Sequence, residues 1–214
     1  ANDPHLLLQA PPVWYEMHLE TDDLDVRGVS FPGIPFVVLG TNREVSWGFT
    51  NVGADVTDFY TYEWRDGEYW YDGAWREPRS ETRELGVADG PNETITVRKT
   101  VHGPLIEREG QRVAVAWTGL TSQNQSLAID RLNHADSLAD VRTALRDFHV
   151  PAQNVVAADR DGTDVLYYPA GKYPIRRVDG EVVRGDRVFN GSAGHGEWAG
   201  FTPYGQSSWE GFVP

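Results

Sequence analysis

The sequence predicts a strand-rich α+β chain with one or two helices in its second half. Runs of β-branched and aromatic residues alternate with polar ones along most of the chain, and Gly, Pro and Asp-Gly punctuation cuts them short. Helical periodicity behind a capping signal is clear in one place, after Ser137. The 214 residues are 40% hydrophobic and 12% aromatic, enough to bury a core and too apolar for disorder. No internal repeat or low-complexity linker interrupts them, and residues 1–214 are read as a single domain.

In order, Asp3-Pro4 makes a turn ahead of an apolar run that Pro11-Pro12 breaks, and Val13 to Leu19 alternates as a strand. Val26 to Ser30 is a second, after a solvated Asp22/Asp23/Asp25 turn. Phe31 to Tyr60 then reads as a hairpin. Its parts are an apolar strand Phe36–Leu39, a turn at Gly40-Thr41-Asn42, and an alternating strand Val45–Thr50 leading to an acidic loop. Phe59 to Trp64 is a strand, and Asp72-Gly73 joins Glu68–Tyr71 to Ala74–Trp75–Arg76 as a hairpin. Glu93 to Val101 is a strand ending at His102-Gly103-Pro104, and Gln111 to Trp117 is another. Ser126 to Asn133 reads as a short helix. Ser137-Leu138-Ala139-Asp140 is a capping box, after which Leu138, Val141, Leu145 and Phe148 share a helical face until Pro151. Val155–Asp159 and Asp164–Tyr168 flank an Asp161-Gly162 turn, and Phe189 to Pro214 reads as loop.

The formal net charge of -13 argues against nucleic acid, which needs a basic face. Lysine occurs only as Lys99 and Lys172, the other basic residues being Arg. Acid excess with scarce Lys fits a salt-adapted (halophilic) source, where screening tolerates self-repulsion; a GC-rich genome with an ordinary acidic surface is the alternative. Cysteine is absent, which excludes disulfides, thiol nucleophiles and cysteine-bound zinc. No apolar run reaches the ~18 residues of a membrane span. There is no signal peptide, and the start on Ala1 without Met is expected to reflect processing or truncation.

Asp55-Val56-Thr57-Asp58 is the best metal candidate, because two carboxylates about a backbone carbonyl suit calcium. Aspartates capping backbone N–H groups in a turn explain the same pattern. Asp161-Gly162 followed by Asp164 has the same two readings. The histidines His5, His18, His102, His134, His149 and His195 show no metal-type spacing, although His5 and His102 each stand beside a Pro or Gly at a strand end. No G-x-S-x-G elbow, P-loop or G-x-G-x-x-G occurs.

Several segments together are similar to one family. ANDPHL, WYEMHL, VRGVSFPGIPFVVLGTNREVSWGFTNVGADVTDFY, TVHGPLI, VPAQNVVAADRDGTDVLYYPAGKYPIR and GEWAGFTPYG follow the order of the β-subunit of penicillin acylases. These are N-terminal-nucleophile (Ntn) hydrolases, and the group includes cephalosporin and acyl-homoserine-lactone acylases. The resemblance implies an αββα fold and hydrolysis of a linear, non-peptide amide. An N-terminal Ser, activated by its own α-amino group, would form the acyl-enzyme. The expected Ser start precedes Ala1, and the side-chain oxyanion donor falls beyond the Trp-Glu-Gly-Phe-Val-Pro end. The chain is therefore expected to be a β-subunit fragment, inactive alone. It would be partnered by its α-subunit and the rest of the β-subunit from one precursor, in an extracytoplasmic setting.

Position by position, the resemblance gives Asn51 a backbone N–H in the oxyanion hole and His5 a place beside the nucleophile. Leu6, Leu39, Ile129 and Gln153 would line the acyl pocket, with polar Gln153 suggesting an aliphatic or mixed acyl group rather than phenylacetyl. A structural calcium would take Asp55, Thr57 (through its carbonyl), Asp58 and the carbonyl of Pro174; no organic cofactor is implied. The rival reading is a non-catalytic, calcium-stabilised β module that binds a ligand through surface aromatics between Tyr62 and Trp75.

Overall fold

The computed structural model describes residues 2, 6–7, 9–108, 110–121 and 125–202. Strands dominate. In chain order they are β1 (Tyr15–Glu20), β2 (Asp25–Ser30), β3 (Leu39–Thr41), β4 (Val45–Asn51), β5 (Thr57–Thr61), β6 (Trp64–Arg65), β7 (Glu68–Tyr71), β8 (Ala74–Arg76) and β9 (Arg79–Leu85). Then come β10 (Glu93–Thr100), β11 (Gly103–Arg108), β12 (Gln111–Trp117), α1 (Gln125–Asn133) and α2 (Leu138–Leu145). The chain continues through β13 (Gln153–Asp159), β14 (Val165–Ala170), β15 (Pro174–Val178), β16 (Glu181–Val183), β17 (Val188–Asn190) and β18 (Glu197–Phe201).

The chain divides into two compact units. The first holds residues 1–54, 121–173 and 202–214. Its sheet runs in the order β1-β2-β3-β4-β13-β14, every neighbouring pair antiparallel. Alternation decides the faces: Val45, Trp47 and Phe49 of β4 point inward, as do Val155 and Ala157 of β13. They join Ala128, Ile129 and Leu132 of α1 and Val141, Ala144 and Leu145 of α2 in one core. Helix α2 starts where its capping box predicts, with Ser137 Oγ accepting the Asp140 N–H at 3.2 Å.

The run Phe36–Leu39 does not form the expected strand. Only Leu39 joins the strand ladder, although the Val38 N–H also donates to the Val29 carbonyl at 3.0 Å, and the turn falls two residues later, where Asn42 Oδ1 accepts from the N–H groups of Glu44 and Val45 at 2.9 and 2.8 Å. Val37 is instead clasped by the buried Asn133 at the end of α1. Asn133 Oδ1 accepts the Val37 N–H at 2.9 Å, and its Nδ2 donates to the Val37 carbonyl at 2.7 Å. A backbone segment served in this way needs no neighbouring strand.

The second unit holds residues 55–120 and 174–201. Its larger sheet runs β17-β5-β12-β11-β10-β9, with β17 parallel to β5 and the other pairs antiparallel. Two three-stranded sheets, β16-β15-β18 and β6-β7-β8, complete it. Its core centres on Tyr60, Tyr62, Tyr69, Ala114, Ala116 and Phe189. Strands β9 and β11 escaped the sequence reading because β9 (RSETREL) is nearly all polar and exposed, and β11 opens on Gly-Pro. The part of the tail expected to be loop contains β17 and β18; residues 203–214 lie outside the described residues.

Candidate functional site

In the first unit, the register of β4 with β13 sets Asn51 directly opposite Gln153. Asn51 is exposed at the strand end and Gln153 half-buried. The Asn51 side chain turns on its own chain, accepting the Gly53 N–H at 3.0 Å, while Asn154 Nδ2 donates to the Asn51 carbonyl at 3.4 Å. Leu39 and Ile129 are both buried in the same core, and Leu6 is exposed. His5 lies outside the described residues.

A hollow of about 610 Å³ lies over β2, β3, β4 and β13, lined among others by Trp14, Leu39, Trp47 and Val156; of the positions above only Leu39 borders it. Gly28 and Gly40 oppose each other in its wall. A Cβ on Gly28 would stand 2.0 Å from the Leu39 carbonyl oxygen, and one on Gly40 would stand 2.2 Å from that of Arg27. Only glycines permit this approach of β2 to β3.

In the second unit, the acidic loop opens β5, where Thr57 pairs with Trp117. Asp58 points inward and is fully buried, an expensive place for a carboxylate. The guanidinium of Arg176, itself 6% exposed, lies against it. Arg176 Nε donates to Asp58 Oδ1 and Oδ2 at 2.9 and 2.7 Å, and Trp198 Nε1 donates to Asp58 Oδ2 at 2.5 Å. Nη2 reaches the Asp55 carbonyl at 2.8 Å and its Oδ1 at 3.1 Å, and Nη1 reaches the Pro174 carbonyl at 3.4 Å. Burial pushes the Asp58 carboxyl above the usual range, against the hydrogen bonds from Arg176 and Trp198. Thus Asp55, Asp58 and Pro174 are brought together, around a residue that sequence reasoning did not single out. Strand alternation held the signal: Pro174 and Arg176 share the buried face of β15.

His102, flagged at its strand end, is also held. Its ring stacks on Tyr60 at 3.7 Å, its Nε2 meets Glu197 Oε1 at 2.9 Å, and its Nδ1 meets the Tyr62 hydroxyl. A carboxylate only accepts, so Nε2 carries the proton and, in the neutral ring, Nδ1 accepts from Tyr62. The His102 bond holds the Glu197 carboxyl below its ordinary range, and burial, with Glu197 beside it, pushes the Tyr71 hydroxyl up to about 12. The aromatics from Tyr62 to Trp75 are buried or half-buried, stacking on one another and under Arg65, Arg76, Arg98 and Arg112. Asp161-Gly162 is a hairpin turn, with Asp159 accepting from Thr163 and Asp164 N–H groups at 3.0 and 3.3 Å.

The family model for penicillin amidase matches residues 1–209. The chain belongs to the penicillin amidase family. Within this family it is 28% identical over 94% of its length to an acyl-homoserine lactone acylase, QuiP, of Pseudomonas aeruginosa, covering 25% of that protein. It is 26% identical over 95% of its length to a penicillin acylase 2 proenzyme from a Pseudomonas species, covering 27% of it. The chain thus spans about a quarter of the length of these relatives. A solved thermostable penicillin G acylase from Alcaligenes faecalis superposes with a TM-score of 0.78 at 23% identity, over 91% of this chain and 35% of that one. This places the strand-rich fold in the penicillin amidase architecture.

Proposed function

We propose that the protein carrying these residues is an amide hydrolase of the acylase type that cleaves a linear amide through an N-terminal Ser acyl-enzyme, on an αββα Ntn-hydrolase fold. The carrying observation is family membership over residues 1–209, with acylases as relatives. The pairing of Asn51 with Gln153 at one strand end supports it, since the reading needs a backbone donor and a pocket residue side by side. In this reading the Asn51 N–H stabilises the oxyanion and His5 positions the nucleophile. Leu6, Leu39, Ile129 and Gln153 shape a pocket for an aliphatic or mixed acyl chain. The nucleophile and the second oxyanion donor come from other parts of the protein, with an α-subunit cut from the same precursor. The 214 residues alone are then expected to turn over no amide.

The test is to express the whole precursor and follow its cleavage by intact mass. The mature protein is then offered a series of acyl amides, and any trapped acyl group is located by peptide mapping. The reading expects an acyl adduct on a serine at a newly made N-terminus. A mature, folded protein that turns over none of the amides and traps no acyl group would overturn it.

A further inference from the structure

The cation of the acidic loop is supplied by the chain. The structure assigns the guanidinium of Arg176 to the place that the family resemblance gives to calcium, so that this loop is braced by a built-in cation and does not depend on metal. The inference is independent of the proposed reaction and departs from the expected calcium ligand set of Asp55, Thr57, Asp58 and Pro174.

Five oxygens of that set, all but Asp55 Oδ2 and the Thr57 carbonyl, already face an N–H of Arg176. Both Asp58 oxygens, the Asp55 carbonyl and Oδ1, and the Pro174 carbonyl lie 2.7–3.4 Å from nitrogens of Arg176. Those are hydrogen-bond separations, longer than the ~2.3–2.6 Å of calcium–oxygen bonds. Calcium also asks for about six to eight oxygens, and among the described residues no group of three or more acidic or histidine side chains gathers here. A divalent ion added to this set would sit against the guanidinium with little solvent to screen the repulsion, since Asp58 is 0% and the Arg176 side chain 6% exposed.

The surroundings are built around the arginine. The β15–β18 pairing shifts register between Ile175 and Arg176, a bulge of the kind that re-aims a side chain, and it sets Trp198 opposite Arg176. Both then donate to Asp58. On the other side the backbone at Gly185 closes over the pair: a Cβ there would stand 2.4 Å from Asp55 Oδ2 and 2.6 Å from the Arg176 Cζ.

Trp198 supplies a local reporter, because terbium bound on Asp58 would touch the indole and take up its excitation. The full protein is stripped with chelator and titrated with terbium and then with calcium, alongside Trp198→Phe and Arg176→Ala variants. The expected result is no Trp198-dependent terbium emission in the wild type and no shift of its unfolding midpoint attributable to the loop. That is, any calcium shift is the same in Asp58→Asn as in the wild type. Arg176→Ala is expected to lower the midpoint, to gain Trp198-dependent emission, and to recover part of the loss with calcium. Trp198-dependent emission from the wild type, or bound calcium that Asp58→Asn loses, would overturn the assignment. If Arg176→Ala does not fold, the wild-type and Trp198→Phe titrations decide alone.

Discussion

Asn133→Ala is expected to be among the most damaging single changes in the first unit. The side chain makes two hydrogen bonds to Val37, 96 residues away, at 2.9 and 2.7 Å. Val37 is 0% exposed and Asn133 1%, so water does not reach either backbone group in the folded protein. Truncation leaves a buried N–H and a buried C=O without partners, at about 1–3 kcal/mol each. The sum is about 2–6 kcal/mol, a large share of a typical domain stability of roughly 5–15 kcal/mol. Urea denaturation followed by tryptophan fluorescence reads this directly. At slopes of about 2–3 kcal/mol/M, the midpoint falls by roughly 1–3 M. Asn133→Leu, which restores bulk without the polar atoms, should recover little of the loss, because the deficit lies in unpaired groups and not in volume. A loss below about 0.5 kcal/mol in Asn133→Ala with an unchanged slope would refute the reasoning, because Val37 would then have other means of satisfying its backbone.

The other expectations concern packing, pH and the proposed chemistry. Gly28→Ala drives a methyl to within 2.0 Å of the Leu39 carbonyl oxygen and should cost about 1–3 kcal/mol, read as a lower thermal midpoint with faster amide exchange in β2 and β3. The Glu197 carboxyl is held low chiefly by its bond from His102, so it stabilises the fold above the unfolded glutamate pKa and loses that contribution as pH falls through the lower folded value. Glu197→Gln should flatten the acid limb of stability below about pH 4.5, whereas an acid limb as steep as wild type would remove the assignment. If Asn51 serves through its backbone N–H, Asn51→Ala keeps kcat near wild type. Gln153→Leu should instead change the ranking of acyl chains by about tenfold per methylene-sized difference in kcat/KM. A hundredfold fall in kcat for folded Asn51→Ala would place the function in the side chain.

What the sequence disclosed and what it withheld divide along physical lines. Strands with one buried face, such as Val45–Asn51 and Gln153–Asp159, carry the period-2 signal, and α2 carries both a cap and an apolar stripe, so these were legible. Strand β9 is exposed and polar, and its membership in a sheet comes from pairing with β10, which no local pattern announces. The Phe36–Leu39 run gives no strand before Leu39 because the Val37 backbone is held by the Asn133 side chain, a long-range clasp that no local pattern announces. At the acidic loop, proximity of Asp55 to Asp58 was visible in the spacing. Its counter-ion, Arg176, lies 118 residues from Asp58 and became visible only with the fold.

The order of strands in the first sheet has a consequence for synthesis. Strand β4 finds its second neighbour, β13, only after about a hundred further residues, as the Asn51–Asn154 contact with its separation of 103 makes plain. At roughly 5–20 residues per second on the ribosome, that is about 5–20 s. Through that interval the emerging Val45–Asn51 edge offers unpaired N–H and C=O groups on an apolar strand, a template for wrong partners. Slower elongation lengthens the exposure. Yield of folded protein should therefore depend on translation speed and chaperone supply more than on the stability of the finished fold.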